Sequence, residues 1–383
     1  GGETVATGAN GSGDLLVGSW SSQDAHLNVS GTGSLYAFKA VHVGKGFNFD
    51  ETGIGDGVSA KGTFTQTGGS VDIGGMFIGD QLGNGNTEGT VNLSGGTFLS
   101  RGPVAVGHQG TGHLTISGTA AITLQDDFAV GNEKTALFDG TLVAAKGDVT
   151  QSGGTLTTTN SIFVGEKGEG MYHMTGGLLV GENDIAIGDG AGGVGTFLMD
   201  GGTIELKGLH PWESGNLITG WEGNGTFKMT AGNISLTAPT AKEALLDLAN
   251  FDFIRNDQHQ MRLDGNIMVA KDAAAVGDFQ MSGGTISAAG NAIVGYEGAG
   301  TAKQTGGTII LGAGATDPNN SNPELAGGDL VIGFLPGSSG TYDLQGGTLD
   351  VSHGAILSGA GTASFLFSGG TLKVKTFNDA GMG

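Results

Sequence analysis

The sequence predicts an all-β fold, a single-stranded parallel β-helix (β-solenoid) of about a dozen rungs of ~23 residues, with one short helical insertion. Three observations lead to this prediction. Glycine supplies 79 of the 383 residues, although 37% of the chain is hydrophobic. A Gly-Gly pair recurs along the chain, and apolar and polar residues alternate between the pairs. Collagen does not fit, since there are only 6 prolines and glycine does not occupy every third position.

The repeat is clearest in residues 277–309. The pair that begins at Gly283 is followed by Thr285, and the next pair begins at Gly306, a step of 306 − 283 = 23 residues. Self-similarity at such a fixed period is typical of a solenoid. Further copies, some of them degenerate, begin at Gly68, Gly95, Gly118, Gly153, Gly176, Gly201, Gly232, Gly346 and Gly369.

Each repeat contains two or three short strands. Apolar residues alternate in Thr196–Met199 before a glycine pair and again in Thr203–Leu206 after it. A period of two places every other side chain inside the coil, and the glycines permit the sharp corners between strands. The threonines that follow the pairs are expected to form a ladder along one edge: Thr97, Thr155, Thr203, Thr285, Thr308, Thr348 and Thr371.

A second glycine signature, Val-Gly-x-x-Gly-x-Gly, occurs at Val106–Gly112, Val164–Gly170 and Val294–Gly300. A phosphate-binding loop would occur once, between a strand and a helix. Because this signature recurs with the repeat, we interpret it as a corner of the coil.

The two signatures together resemble the autotransporter-associated and anchor-tagged β-strand repeat proteins that bacteria export to their surfaces. The resemblance covers nearly the whole chain. It implies a right-handed β-helix, a location outside the cell or on the bacterial cell surface, and no catalytic residues. No membrane barrel or sorting tail of those families follows the repeats, so membrane anchoring is not encoded in this chain.

Composition excludes several other classes of function. The net charge is 16 − 37 = −21, which argues against a nucleic-acid partner. Without cysteine, the chain has no disulfides, thiolate metal sites or thiol nucleophiles. No apolar run approaches the roughly 20 residues of a membrane-spanning helix.

Function is expected in the stretches that break the repeat, because loops on a scaffold carry most binding residues. The first is Lys207–Gly215, which holds His210 and Trp212. An aromatic ring beside polar groups stacks on a sugar, contacts a neighbouring chain or folds back over the sheet.

The second, residues 238–272, divides the chain into N-terminal rungs (1–237), this insertion and C-terminal rungs (273–383). A capping box at Thr240–Glu243 and an apolar stripe predict a helix that packs on the solenoid or docks on another subunit. The stripe contains Leu245, Leu248 and Phe251, and the polar cluster that follows contains Arg255 and Arg262.

The third stretch, Gly314–Glu324, supplies Asp317, Asn319 and Glu324 as weak candidate ligands for calcium, whose preferred donors are oxygens. Its spacing matches no standard calcium loop. A metal at Asp50, Glu51 and Asp56 is an equally weak candidate, and no other cofactor is expected.

These features predict a non-catalytic extracellular structural protein, a surface stalk or a subunit of a head-to-tail filament or matrix. The C-terminal repeat, with Phe365 and Phe367, has no obvious capping helix, so we expect that either the natural chain continues or a second copy binds end to end. The alternative is an adhesin or carbohydrate-binding β-helix. A polysaccharide lyase or hydrolase is less favoured, because nothing distinguishes Asp126, Asp127 or Arg101 from surface charge.

Overall fold

The computed structural model describes residues 3–6, 14–19, 24–46, 59–80, 86–136, 142–209, 214–237, 264–314, 328–378 and 382. Regular structure in this part of the chain consists of β-strands, which pair in parallel apart from one small antiparallel hairpin. The predicted all-β parallel solenoid is therefore confirmed.

The strands are short where the chain turns sharply at a corner and long where it bends smoothly. The first are β1 (Glu3–Ala6), β2 (Leu15–Ser19), β3 (Asp24–Val29), β4 (Ser34–Lys45), β5 (Ala60–Asp80), β6 (Thr87–Ser100), β7 (Val104–Val106), β8 (Thr111–Ile116), β9 (Ala121–Leu124), β10 (Phe128–Val130), β11 (Lys134–Ala136), β12 (Leu142–Ala144), β13 (Lys146–Thr158), β14 (Ile162–Val164) and β15 (Glu169–Gly181).

The later strands repeat a pattern of six, four and three residues with few exceptions. They are β16 (Ile185–Ile187), β17 (Val194–Met199), β18 (Thr203–Leu206), β19 (Leu217–Thr219), β20 (Asn224–Met229), β21 (Asn233–Leu236), β22 (Ile267–Val269), β23 (Val276–Met281), β24 (Thr285–Ala288), β25 (Ala292–Val294), β26 (Ala299–Gln304), β27 (Thr308–Leu311), β28 (Leu330–Ile332), β29 (Ser339–Leu344), β30 (Thr348–Ser358), β31 (Thr362–Phe367) and β32 (Thr371–Phe377).

The chain forms two compact units. Unit 1 comprises Gly1–Leu179 and Gly188–Leu198, and unit 2 comprises Val180–Ile187 and Met199–Gly383. Within each unit the chain coils so that successive rungs stack on one another.

A rung has three sides, which we call faces A, B and C. In unit 2 one rung consists of β23 on face A, β24 on face B and β25 on face C, and these strands pair with β26, β27 and β28 of the next rung. In unit 1 the single long strand β5 bends through all three faces, pairing with β6 and then β7.

Register between rungs keeps like residues together. Thr285, Thr308, Thr348 and Thr371 are direct partners in successive face B strands, which confirms the predicted threonine ladder over this part of unit 2. Elsewhere the ladder is interrupted, since Ala121 lies between Thr97 and Thr155 in unit 1. Insertions of unequal length do not disturb the register, because they leave the coil at its corners.

The interior is a column of stacked apolar side chains. In unit 1 the rings of Tyr172 and Phe197 are stacked and nearly parallel, with centroids 4.8 Å apart, and in unit 2 Phe227 and Phe279 stack at 5.2 Å. These spacings follow from the roughly 4.8 Å distance between paired strands. Fully buried rings of this kind supply much of the hydrophobic stabilisation of each unit.

Two buried glutamine–tyrosine pairs lie inside the same columns. The Tyr172 hydroxyl donates to Gln151 Oε1 at 2.5 Å, and the Tyr342 hydroxyl donates to Gln304 Oε1 at 2.8 Å. Each glutamine amide in turn donates to a backbone carbonyl on a neighbouring rung. Burial raises the pKa of both tyrosines, so each hydroxyl stays protonated and remains a donor.

A second buried polar row, which we call the Asx ladder, connects the rungs of unit 2 just before face C. Each side-chain Oδ1 accepts a hydrogen bond from the backbone N–H of the equivalent residue one rung further on, at 2.6–2.9 Å. These bonds satisfy N–H groups that burial would otherwise leave without a partner. The row runs through Asp184, Asn216, Asn266, Asn291 and Asp329 to the N–H of Ala355.

The corner after face C requires a residue with positive φ. Glycine fills this position at Gly220 (φ 75°) and Gly295 (φ 74°), where a side chain would also collide with the backbone of a neighbouring rung. Between them, Ala270 adopts φ 58° in the same role. The left-handed conformation costs an L-residue with a Cβ roughly 1–2 kcal/mol, so Ala270 is a strained copy of the corner glycine.

The predicted helix falls on residues outside the described part of the chain, as do Leu245, Leu248, Phe251, Arg255 and Arg262. Described structure resumes at Asp264, and residues 264–272 contribute strand β22 to a regular rung. The helix therefore stays a prediction for residues before Asp264, and the rung begins earlier than the predicted boundary at residue 272.

Replacing Asn266 by alanine is expected to destabilise unit 2 by about 1–3 kcal/mol, because the buried N–H of Asn291 loses its acceptor. The measurement is the urea midpoint of purified variants followed by circular dichroism. Asn233→Ala, on the exposed side of face B, serves as the matched control and should change the midpoint little. Equal midpoints for the two variants would show that the Asx ladder contributes nothing to stability.

Replacing Ala270 by glycine is expected to stabilise the protein by about 1 kcal/mol, because relief of the left-handed strain exceeds the entropy cost of glycine. The converse substitution, Gly295→Ala, should destabilise it by more, since the new Cβ would collide with the Ser339 carbonyl. Thermal unfolding of both variants tests this pair. A lower melting temperature for Ala270→Gly would contradict the assignment of strain.

Candidate functional site: the corner row

The residue after each face C corner forms a line on the outside of the coil, which we call the corner row. In unit 1 the row contains Lys45, Asp80, His108, Asn132 and Glu166. Their positions are equivalent because the face C strands β4, β5, β7, β10 and β14 pair in register immediately before them. Side chains from distant parts of the sequence are thereby placed one rung apart.

Asp80 is the centre of this row. Its carboxylate accepts a hydrogen bond from His42 Nδ1 at 2.6 Å, and the Lys45 ammonium lies 3.2 Å from the same oxygen. The other carboxylate oxygen lies 3.9 Å from His108 Nε2. Although Asp80 is only 5% exposed, three basic side chains surround it.

Phe77 separates the two imidazoles. Its ring stacks on His42 with centroids 5.2 Å apart and packs against His108 at 4.7 Å. Beyond His108 the polar contacts continue, since His108 Nδ1 lies 2.7 Å from Asn132 Oδ1 and the Asn132 amide donates to Glu166. The row is thus a connected series of acids, bases and amides across successive rungs.

Burial and charge act in opposite directions on the two carboxylates of the row. Burial tends to raise the pKa of Asp80, but the hydrogen bond from His42 and the positive charges of Lys45, His42 and His108 together lower it below its ordinary value. For Glu166 burial dominates, and its pKa is raised despite the hydrogen bond from Asn132. Asp80 is therefore a stable anion, whereas Glu166 is more readily protonated.

In unit 2 the corner row is aromatic. It contains Trp221, Lys271, Tyr296 and Phe334, with Lys271 Nζ 3.8 Å from the centre of a Trp221 ring and Tyr296 packed on Phe334 at 4.9 Å. Trp221 and Tyr296 pack against an apolar cluster on the outer side of face C, which consists of Ile218, Met268, Ile293, Val331 and Phe334. The same corner position thus builds a second small core in unit 2.

Sequence reasoning did not bring His42 and His108 together. His42 and His108 lie 66 positions apart in sequence (108 − 42 = 66) but contact the same aspartate. Alignment of the repeats on the Val-Gly corner would have placed Lys45, Asp80 and His108 in one column. His42 precedes its corner by two residues and belongs to a different column.

The predicted interaction residues His210 and Trp212 and the predicted calcium ligands Asp317, Asn319 and Glu324 lie outside the described residues, as do Asp50, Glu51 and Asp56. Among the residues that are described, no group of histidine or carboxylate side chains is arranged to hold a metal ion. The metal predictions therefore stay untested.

The described ends of the three insertions show where they leave the coil. Each departs after a face B strand, β18, β21 or β27, and returns before a face C strand, β19, β22 or β28. The ends of the first two insertions are joined, because Ser214 N–H donates to Asp264 Oδ1 at 3.0 Å. Arg101, Asp126 and Asp127 occupy the same kind of corner in unit 1.

Phe365 and Phe367 lie on β31, which pairs with β29. Phe365 is half-buried and stacks on Tyr342 with ring centroids 5.9 Å apart. Phe367 is 53% exposed, and Leu366 on the same strand and Phe377 on β32 are also exposed. This rung therefore presents apolar side chains that an additional rung would cover.

The fold and these rows define the chain as a parallel β-solenoid whose corners carry its chemically diverse side chains. None of the protein families, curated proteins and solved structures compared with the chain matches it. In the described part of the chain there is no helix with the length and apolar character needed to span a membrane.

Asp80→Asn is expected to destabilise unit 1 by on the order of 2 kcal/mol at pH 7, because the Lys45 ammonium loses its counter-ion and His42 loses its charged hydrogen-bond acceptor. The pKa of Asp80 is lower in the folded than in the unfolded chain. Its contribution is therefore complete above about pH 4 and is lost as the pH falls through the folded value.

Urea unfolding of wild type and Asp80→Asn from pH 7 to pH 3 tests this expectation. The difference between the two proteins should be constant at neutral pH and shrink in acid. Asp24→Asn, which removes an exposed carboxylate in the same unit, is the control and should change stability little. A difference that is absent at pH 7 would mean that Asp80 does not stabilise the corner row.

Proposed function

We propose that this chain is a non-catalytic structural protein of the bacterial cell surface or extracellular matrix, acting as a stalk or as a filament subunit. The observation that carries the proposal is the Asx ladder, in which buried polar side chains bond the next rung instead of converging on a ligand. The glutamine–tyrosine pairs and the interior aromatic stacks likewise join one rung to the next. Such a solenoid gains stability from nearest-neighbour contacts and can be extended by adding rungs.

The partner that we propose is a second copy of the chain, bound end to end. On the last rung, β32 and the part of β31 beyond Ala363, which bridges Met382, present strand edges together with the exposed Phe367 and Phe377. On the first rung, β3 pairs with β5 on one side, and its inward positions Ala25 and Leu27 are only half-buried. Exposed strand edges of this kind favour pairing with another strand.

The two ends match by face. On the last rung β31 belongs to face A, since it pairs with β29, and on the first rung β3 belongs to face A, since it pairs with the first part of β5. Joining the last rung of one copy to the first rung of another therefore continues face A from one copy into the next. Such a contact is heterologous and does not close, so it generates filaments.

Sedimentation velocity over a concentration series, with negative-stain electron microscopy, tests the proposal. Wild type should form longer particles as concentration rises. Phe367→Lys should stop this growth, because it places a charge where the next rung would pack. The matched control is Leu142→Lys, which places the same charge at an exposed apolar residue (64% exposed) away from the ends and should assemble like wild type.

Two results would overturn end-to-end assembly. One is a wild-type protein that sediments as a single species at every concentration. The other is loss of assembly in Leu142→Lys as well as in Phe367→Lys, which would indicate general charge repulsion.

A further inference from the structure

Unit 1 carries an exposed aromatic patch that takes no part in the packing of one rung on the next. Phe38 is 76% exposed and Tyr36, two residues earlier on the same strand, is 39% exposed. Both lie on β4, where face B ends and the corner toward face C begins. The interior of the coil does not use either ring, since the neighbouring Leu35 and Ala37 occupy the inward positions and are buried.

The backbone projects Phe38 outward and leaves the surface beside it open. The register between β4 and β5 shifts between Ala37 and Ala40, so Phe38 lies on a bulge. On the next rung the equivalent corner is Gly74, where a Cβ would collide with the Phe38 carbonyl, and on the rung after that Gly102 packs as closely on Gly74. Two residues without side chains, Gly74 and Gly102, therefore form a strip that continues from the Phe38 backbone across the next two rungs.

A bidentate ion pair between Arg101 and Asp72, which we call the fork, borders this strip. Arg101 donates from Nε to Asp72 Oδ1 and from Nη2 to Asp72 Oδ2, both at 2.8 Å. Asp72 is the direct register partner of Tyr36 on the neighbouring strand, so the fork is held beside the aromatic rings. The pair uses two of the five N–H donors of Arg101, and the carboxylate oxygens have further lone pairs.

We propose that Tyr36, Phe38, Asp72 and Arg101, together the Phe38 platform, bind one sugar unit of a neutral polysaccharide. The exposed ring offers an apolar face to the C–H side of a pyranose, and the glycine strip leaves room for it. The guanidinium and the carboxylate then donate to and accept from neighbouring hydroxyl groups. An apolar surface with a few convergent polar groups is the usual composition of a small-molecule site.

Charge and size select this class of ligand. Asp72 neutralises Arg101, so the fork does not require an anionic ligand. Two aromatic rings and a narrow strip are also far smaller than the roughly 800 Å² per partner of a standard protein interface. The site is independent of the proposed end-to-end contact, because Phe38 lies on a side corner of the coil and not on a terminal strand edge.

Affinity electrophoresis in native gels tests the site, with hydroxyethylcellulose, dextran or galactomannan as the immobilised probe. Wild type should be retarded by at least one of these gels relative to a gel without polysaccharide. Phe38→Ala should weaken that retardation about tenfold, which corresponds to loss of one aromatic contact. Arg101→Lys, which keeps the charge but loses the bidentate geometry, should weaken it several-fold.

Leu142→Ala removes a comparably exposed apolar side chain elsewhere in unit 1 and should be retarded like wild type. Absence of retardation in all three gels, or equal retardation of wild type and Phe38→Ala, would overturn the proposal. So would a Phe38→Ala variant that is retarded normally but sediments differently, since this would make the platform a protein contact. Circular dichroism of each variant verifies that the fold is intact.

Discussion

The structure depends on one constraint, the in-register parallel pairing of each rung with the next. Strands about 4.8 Å apart leave little freedom at the corners, so a backbone there must adopt positive φ or approach its neighbour closely. Glycine meets both demands at Gly220 and Gly295. Ala270 adopts a positive φ at the equivalent position despite the strain, which shows that stacking requires this conformation there. The abundance of glycine is thus a consequence of stacking. The same constraint creates buried N–H groups before face C, which the Asx ladder satisfies.

Stacking also converts one sequence position into a continuous row on the surface. At the corner after face C, unit 1 places Lys45, Asp80 and His108 next to one another, whereas unit 2 places Trp221 and Tyr296 at the equivalent position. The first choice produces a charged network around a buried aspartate, and the second a small apolar core. The two units therefore use the same backbone for different stabilising chemistry.

The corner between faces B and C has the opposite character, because length varies there without disturbing the rungs. In unit 2 it carries the three insertions, and in unit 1 it carries the Phe38 platform and the Arg101–Asp72 pair. The glycine corners keep the rungs regular, whereas the corner between faces B and C varies in length and sequence. A regular coil therefore presents different side chains from rung to rung at that corner. A structural role for the rungs and a binding role for one corner are compatible on the same chain.

The sequence by itself determined the period, the alternation of strands, the glycine corners and hence the parallel solenoid, because these follow from local patterns repeated every 23 residues or so. It also placed Thr285, Thr308, Thr348 and Thr371 in one ladder, since the copies that contain them share the motif. Only the tertiary structure decided that His42 and Asp80 meet, that Tyr172 bonds Gln151 and that Phe38 stands beside a glycine strip. Those contacts join rungs separated by stretches of unequal length, and a side chain's neighbour across rungs depends on register and bulges that no local pattern encodes.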